Sequence, residues 1–373
     1  MKKLFFALLL ILTPLQPILA AHRKPDSLSM KIGQMLMVGF RGLDVKGEPR
    51  LPDDIRKRHI GGVVLFDYDV PSSSPVRNID SPEQVKQLAE ELQGLASIPL
   101  FVAIDQEGGR VMRLKPARGF PPAPSAEHLG RIDNPDSTRQ AAAGTAALLR
   151  SLKLNMDFAP DVDLNTNPAN PVIGKLGRSF SADPEVVARQ AGIFVREFGE
   201  AGVIPVLKHF PGHGSSTTDT HKDFTDVTST WSESELEPYR DLFGRGYGGA
   251  VMTAHVFNAR IDSLNPATLS KAVVDGVLRG RLGFDGVVFS DDMQMKAISG
   301  RYGLEPAIRL AIDAGVDILL FGNNASAYDP RIAGKAAGII RKLVDRGVLS
   351  RERIDRSYRR IMQLKQRFNL LRK

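Results

Sequence analysis

The chain has seven histidines, and three of them (His209, His213 and His221) fall within the fourteen residues Lys208–His221. Three uses compete for such a cluster. His209 and His213 have the i, i+4 spacing of a zinc-binding helix, with Asp219, His221 and His255 as further ligands, but Pro211-Gly212 between them breaks a helix. No metal is therefore expected. A purely structural role suits one histidine better than a cluster. The third use is proton transfer, because an imidazole titrates close to working pH. Asp219, two residues before His221, would orient the ring and favour its charged, proton-donating form. A second segment, Gly286-Val-Val-Phe-Ser-Asp-Asp-Met293, ends an apolar run on Asp291. A carboxylate that attacks, paired with a group that protonates the leaving oxygen, is what a double displacement at an anomeric carbon requires. Asp291 is the candidate nucleophile, and Asp292 reads as a helix cap or a support. A third segment, Ala103 to Arg113, offers Asp105 and Arg113 for hydrogen bonds to sugar hydroxyls. Its Glu107 is the alternative acid.

These residues need a scaffold that brings distant segments together. Eight short apolar runs supply one: Ile32–Phe40, Gly62–Asp67, Leu100–Asp105, Met156–Asp161, Ile204–His209, Ala250–His255, Val287–Asp291 and Ile318–Gly322. Near-continuous apolar strings are the mark of parallel strands covered on both faces. Helical patterns lie between them, over Ser81–Ala96, Ser137–Lys153, Asp183–Ala201, Ser232–Phe243, Ser270–Leu282, Glu305–Ala314 and Pro330–Arg346. Strand alternating with helix eight times predicts an α/β chain folded as a single-domain (β/α)8 TIM barrel. Asp67, Asp105, Asp161, Lys208, His209, His255 and Asp291 all stand at the C-terminal ends of predicted strands. In a barrel those ends share the face on which active sites are built.

Composition sets the outer limits. The chain has 373 residues, no cysteine and a formal net charge of +8. Disulfides, thiolate metal sites and cysteine nucleophiles are excluded. Residues 1–20 read as a secretory signal peptide: Met1-Lys2-Lys3, an apolar run from Leu4 to Leu12, then Pro14 and Pro17 before Ala20-Ala21. The run is too short to span a bilayer. Residues 21–373 are then the mature barrel, exported to the periplasm or beyond. Residues 351–373 hold nine Lys/Arg against Glu352 and Asp355, with apolar residues at helical spacing. That predicts a basic closing helix over about 350–373, packed on the barrel or offering a cationic face to anionic wall or membrane. Nothing resembles a nucleic-acid motif.

Taken together, six motifs resemble glycoside hydrolase family 3, in its β-N-acetylhexosaminidase branch. They are Ile104-Asp-Gln-Glu-Gly-Gly-Arg110, Gly177-Arg-Ser-Phe180, Lys208-His-Phe-Pro-Gly-His-Gly214, Asp219-Thr-His221, Met252-Thr-Ala-His255 and Phe289-Ser-Asp-Asp-Met293. They span roughly Ile32 to Gly322 in the family's order. The resemblance implies a retaining mechanism with Asp291 as nucleophile and the pair Asp219 and His221 as acid/base. It implies Asp105, Arg113, Arg178, Lys208 and His209 as sugar-binding residues, and His255 and Met252 as further subsite positions. It implies no cofactor. It implies as substrate a terminal β-linked N-acetylglucosamine, of peptidoglycan fragments or chitooligosaccharides. Transfer to phosphate at the same site, or an idle glycan-binding barrel, are the competing functions. Two features depart from the pattern. Thr220 stands where serine is usual, and a leader is unlike the single-domain wall-recycling members, which resemble cytoplasmic enzymes.

Overall fold

The computed structural model describes residues 27–325 and 327–371. Eight parallel strands form the barrel: β1 (Leu36–Gly39), β2 (Gly62–Val64), β3 (Phe101–Ile104), β4 (Met156–Asp157), β5 (Ile204–Phe210), β6 (Ala250–Thr253), β7 (Val288–Phe289) and β8 (Leu319–Phe321). Each pairs with its neighbour in sequence, and β8 returns to β1 through Leu36↔Leu319. The remaining seam, β7 to β8, closes through a bridge between Phe289 and Ile318. There the Ser290 N–H donates to Ile318 O at 2.9 Å and the Ile318 N–H to Val288 O at 3.0 Å. The expected single-domain (β/α)8 barrel is the observed one.

Every residue of the eight strands is buried, as helices outside and packed side chains inside require. Phe289 anchors the interior, meeting Phe101 and Phe158 edge-on at centroid separations of 6.4 and 6.0 Å. The outer helices begin where their caps dictate. Ser81 Oγ accepts the Gln84 N–H ahead of Pro82–Leu95, and Asp183 caps Pro184–Ala201. Asn134 caps Pro135–Ser151, so that helix starts before the expected Ser137.

Some expectations shift. The run Ile32–Phe40 divides into a helix, Ser27–Gln34, and β1. Leu28 and Ile32 lie one turn apart on the helix's buried side. Ser270–Leu282 becomes a wide-turned helix over Ala272–Arg281, where the Leu282 N–H reaches Val277 O, five residues back.

The basic C-terminal segment is a helix, Arg351–Arg367, capped by Ser350. Its charges do not form one outward face. Arg353 and Arg360 turn to Asp317, at 3.4 and 3.6 Å. Lys365 is fully buried and donates to Gln34 Oε1 at 2.6 Å and Gly61 O at 3.3 Å. These basic residues fasten the helix to the barrel's N-terminal end, which leaves the expected electrostatic contact with an anionic surface without support. The expected signal peptide lies outside the described residues. No helix among the described residues is long and apolar enough to cross a membrane.

Candidate active site

The C-terminal ends of the strands surround a cavity of about 360 Å³. Asp105, Arg113, Arg178, Lys208, His209, His221 and Asp291 all line it, although they come from four widely separated segments. Phe158, Met252 and Leu320 add apolar wall.

Asp291 lies two residues past the end of β7. Its Oδ1 accepts the Asp292 N–H at 2.7 Å. Burial works against its charge, but the imidazoles of His255, His209 and His221 outweigh this and hold Asp291 below the usual carboxylate range. An ionised carboxylate is the form a nucleophile needs. Asp292 behaves as the support expected of it. Its Oδ1 accepts from Gly322 N at 3.0 Å and Gln294 N at 3.0 Å, tying β7 to β8.

His221 sits on the long loop after β5. Asp219 Oδ1 accepts both the His221 backbone N–H and the ring Nδ1–H, each at 2.9 Å. That assignment leaves Nε2 available to exchange a proton. Partial burial lowers the ring's pKa, yet the Asp219 hydrogen bond and the Asp291 charge outweigh it and raise His221 above 6.5. The loop is anchored by its other histidine. His213 is fully enclosed, with Nδ1 2.7 Å from Ser216 Oγ and Nε2 3.2 Å from Thr220 Oγ1. Burial pushes it down to about 4, so it is neutral and structural. Thr220, the residue that departs from the family pattern, is thereby a fixed point between the two members of the Asp219–His221 pair.

The sugar-binding candidates form one charged lattice. Lys208 Nζ lies 2.8 Å from Asp105 and 2.6 Å from Glu107. Arg113 reaches Asp105 at 3.1 Å. Arg178 donates to both Glu107 oxygens, at 2.8 and 2.7 Å, and to His209 Nε2 at 3.2 Å. An arginine only donates, so His209 Nε2 accepts and its Nδ1–H donates to Asp163 Oδ2 at 2.7 Å. Despite burial, Lys208 and Arg113 hold Asp105 well below the carboxylate range. Glu107 is likewise held ionised by Arg178 and Lys208. A carboxylate kept ionised this way is a poor proton donor, which favours His221 over Glu107 as the acid.

His255 differs from its expected role. It is 0% exposed and sits behind Asp291–Asp292, outside the cavity lining. Its Nε2 lies 2.9 Å from Asp292 O and its Nδ1 2.8 Å from Thr268 Oγ1. A carbonyl only accepts, so His255 donates there and steadies the turn that carries Asp291.

Two residues were not singled out together from sequence. Asp161 and Asp163 follow β4 and lie behind His209 and Arg178. Asp163 Oδ1 also takes the His213 N–H at 2.7 Å, so this one carboxylate joins the charged lattice to the loop that carries Asp219 and His221. The Asp161-Val-Asp163 alternation just past a strand was the available signal. Asp161, Asp163 and His209 are near enough together to hold a metal ion. Arg178, with Nε 3.4 Å from Asp161, already gives these acids a cationic partner.

A barrel with carboxylate, imidazole and a charged lattice converging at its strand ends has the groups that a glycosidase site requires. The model of the glycosyl hydrolase family 3 N-terminal domain matches residues 27–364, and the chain belongs to this family of glycosidases. Within it the chain falls in the β-hexosaminidase branch. It is 35% identical over 292 residues to a β-hexosaminidase of Tolumonas auensis, covering 78% of this chain and 83% of that one. It is 34% identical over 342 residues to the β-hexosaminidase LpqI of Mycobacterium tuberculosis, covering 90% and 82%. Among solved structures, a family 3 β-N-acetylglucosaminidase from Paenibacillus sp. str. FPU-7 superposes with a TM-score of 0.84 at 38% identity. That match covers 92% of this chain but only 63% of the Paenibacillus chain. A β-N-acetylhexosaminidase from Beutenbergia cavernae superposes with a TM-score of 0.79 at 30% identity, covering 92% of this chain and 100% of that one.

Proposed function

We propose that this chain is a retaining, exo-acting β-N-acetylglucosaminidase that removes terminal β-linked N-acetylglucosamine from peptidoglycan fragments or chitooligosaccharides. The observation that carries the reading is the His221 imidazole, held by Asp219 at 2.9 Å and lining the same cavity as the ionised Asp291.

In the first step an Asp291 oxygen attacks the anomeric carbon while His221 Nε2–H protonates the glycosidic oxygen, and the C–O bond to the leaving group breaks. The products are a glycosyl ester on Asp291 and a neutral His221. In the second step His221 takes a proton from water, the resulting hydroxide equivalent attacks the same carbon, and the ester breaks. Two inversions retain the configuration. Asp105, Arg113, Lys208, Arg178 and His209 bind the terminal sugar's hydroxyls through charge-assisted hydrogen bonds. The β-hexosaminidase names of the relatives support the acetamido sugar.

The test compares aryl β-N-acetylglucosaminide with aryl β-glucoside, using wild type and Asp291→Asn. The expected result is turnover of the acetamido sugar by wild type and loss of about 10³-fold or more in the variant. Preference for the glucoside would reject the substrate assignment, and sugar 1-phosphate formed only when phosphate is present would reject hydrolysis. We further propose that residues 1–20 are removed on export to the periplasm or medium. The intact mass and cell fraction of the mature protein test this.

A further inference from the structure

Beneath the acid/base loop lies a carboxyl that this mechanism does not use. Glu235 occupies the turn Glu233–Leu236, just ahead of the helix Glu237–Gly244, and is 1% exposed. Its Oε2 accepts the Gly214 N–H at 3.2 Å. Gly212 rests on the same side chain: a Cβ there would lie 2.5 Å from Glu235 Oε2, and its φ of +121° suits glycine. Trp231, four residues earlier, donates from Nε1 to Pro211 O at 3.0 Å. The segment from Trp231 to Glu235 thus grips Pro211, Gly212 and Gly214 in turn, at the root of the loop that reaches His221 seven residues later.

The surroundings make this grip sensitive to the side chain's form. Asp163 approaches from the segment after β4, Ser215 from the loop itself and Tyr239 from one turn further along the helix. Burial pushes the Glu235 carboxyl up to about 8, and the Asp163 charge acts in the same direction. At neutral pH Glu235 is mostly an uncharged acid, which a buried glutamine could replace.

We propose that Glu235 is a positioning residue for proton transfer: through Gly212 and Gly214 it sets the loop root from which Asp219 and His221 are presented. This rests on the assignment of His221 as the acid/base. It assigns Glu235 no contact with sugar, so binding of the terminal sugar is independent of it.

The experiment compares kcat/KM on two substrates, 4-nitrophenyl β-N-acetylglucosaminide and N,N′-diacetylchitobiose. Only the second has a leaving group that depends strongly on a proton. Misplacing the acid through Glu235→Leu should lower the disaccharide rate by about tenfold and the aryl rate by no more than about threefold. Inhibition by free N-acetylglucosamine should stay within about twofold, and Glu235→Gln should restore both rates to near wild type. If Glu235→Leu does not fold by circular dichroism, Glu235→Asp, which withdraws the oxygen by one methylene, is read in the same way. Equal losses on both substrates, weakened inhibition, or no loss at all would overturn the proposal. His221→Ala separates the two assignments. If it too falls equally on both substrates, the acid assignment fails and Glu235's role with it. If it is selective while the Glu235 variants are not, only the role of Glu235 fails.

Discussion

In the proposed mechanism a histidine serves as the proton donor because its partners keep it charged. Asp219 and Asp291 raise the His221 pKa above 6.5 despite partial burial. A raised pKa means the acid form persists to higher pH and is lost only as pH passes through the raised value. The alkaline limb of kcat/KM on a disaccharide should therefore lie above pH 6.5. Asp219→Asn removes the larger favourable partner, and the limb should move to lower pH with a rate loss of about tenfold or more at neutral pH. An unmoved limb in pH–rate profiles would show that another group is the acid. His213 has the opposite sign. Its folded pKa is depressed to about 4, so the stability it contributes is present above 6.5 and is lost as pH falls toward 4. The difference, about 3 kcal/mol for this one group, should appear as a falling urea midpoint over that window. His213→Gln should flatten the fall, and an unchanged slope would remove His213 from the account.

At the scale of elements, the loop after β5 works only because neighbouring segments grip it. Gly214 packs so closely on the segment after β4 that an added Cβ would lie 1.7 Å from Leu164 O. Gly214→Ala should cost more than about 2 kcal/mol and slow turnover, because relieving the clash moves the backbone that Asp163 and Glu235 hold. A thermal melt and rate like those of wild type would contradict that tight docking. The pairing of Asp219 with His221 was legible in the sequence, since the two are close in the chain. Glu235 and the bridging role of Asp163 were not. Those contacts span tens of residues and leave no periodic trace. His255 was misplaced for a related reason: ending a strand at the site face does not decide whether a side chain points into the cavity or behind it.

At the scale of the whole molecule, the barrel was legible because its strands are buried on both faces and so read as unbroken apolar runs. The short helix ahead of β1 was not, because Ile32 serves its buried face while continuing the apolar run of the strand. Nor could net charge reveal that Lys365 points inward. Burial lowers this lysine to about 7, so charging it inside the protein is costly at neutral pH and the cost fades as pH rises toward 10.5. Lys365→Met should raise the melting temperature more at pH 6 than at pH 9 relative to wild type, even though it leaves Gln34 Oε1 and Gly61 O without this donor. Equal shifts at the two pH values would mean the hydrogen bonds and the Phe101 ring, 4.7 Å from Nζ, fully compensate the charge.

The central claim is a covalent intermediate on Asp291. Its most direct test is mass spectrometry of the enzyme treated with a fluorinated N-acetylglucosaminide whose second step is slow, followed by peptide mapping. The expected result is one added sugar on the peptide containing Asp291, with none in Asp291→Asn. An adduct on another residue, or none together with release of the inverted anomer by NMR, would contradict it.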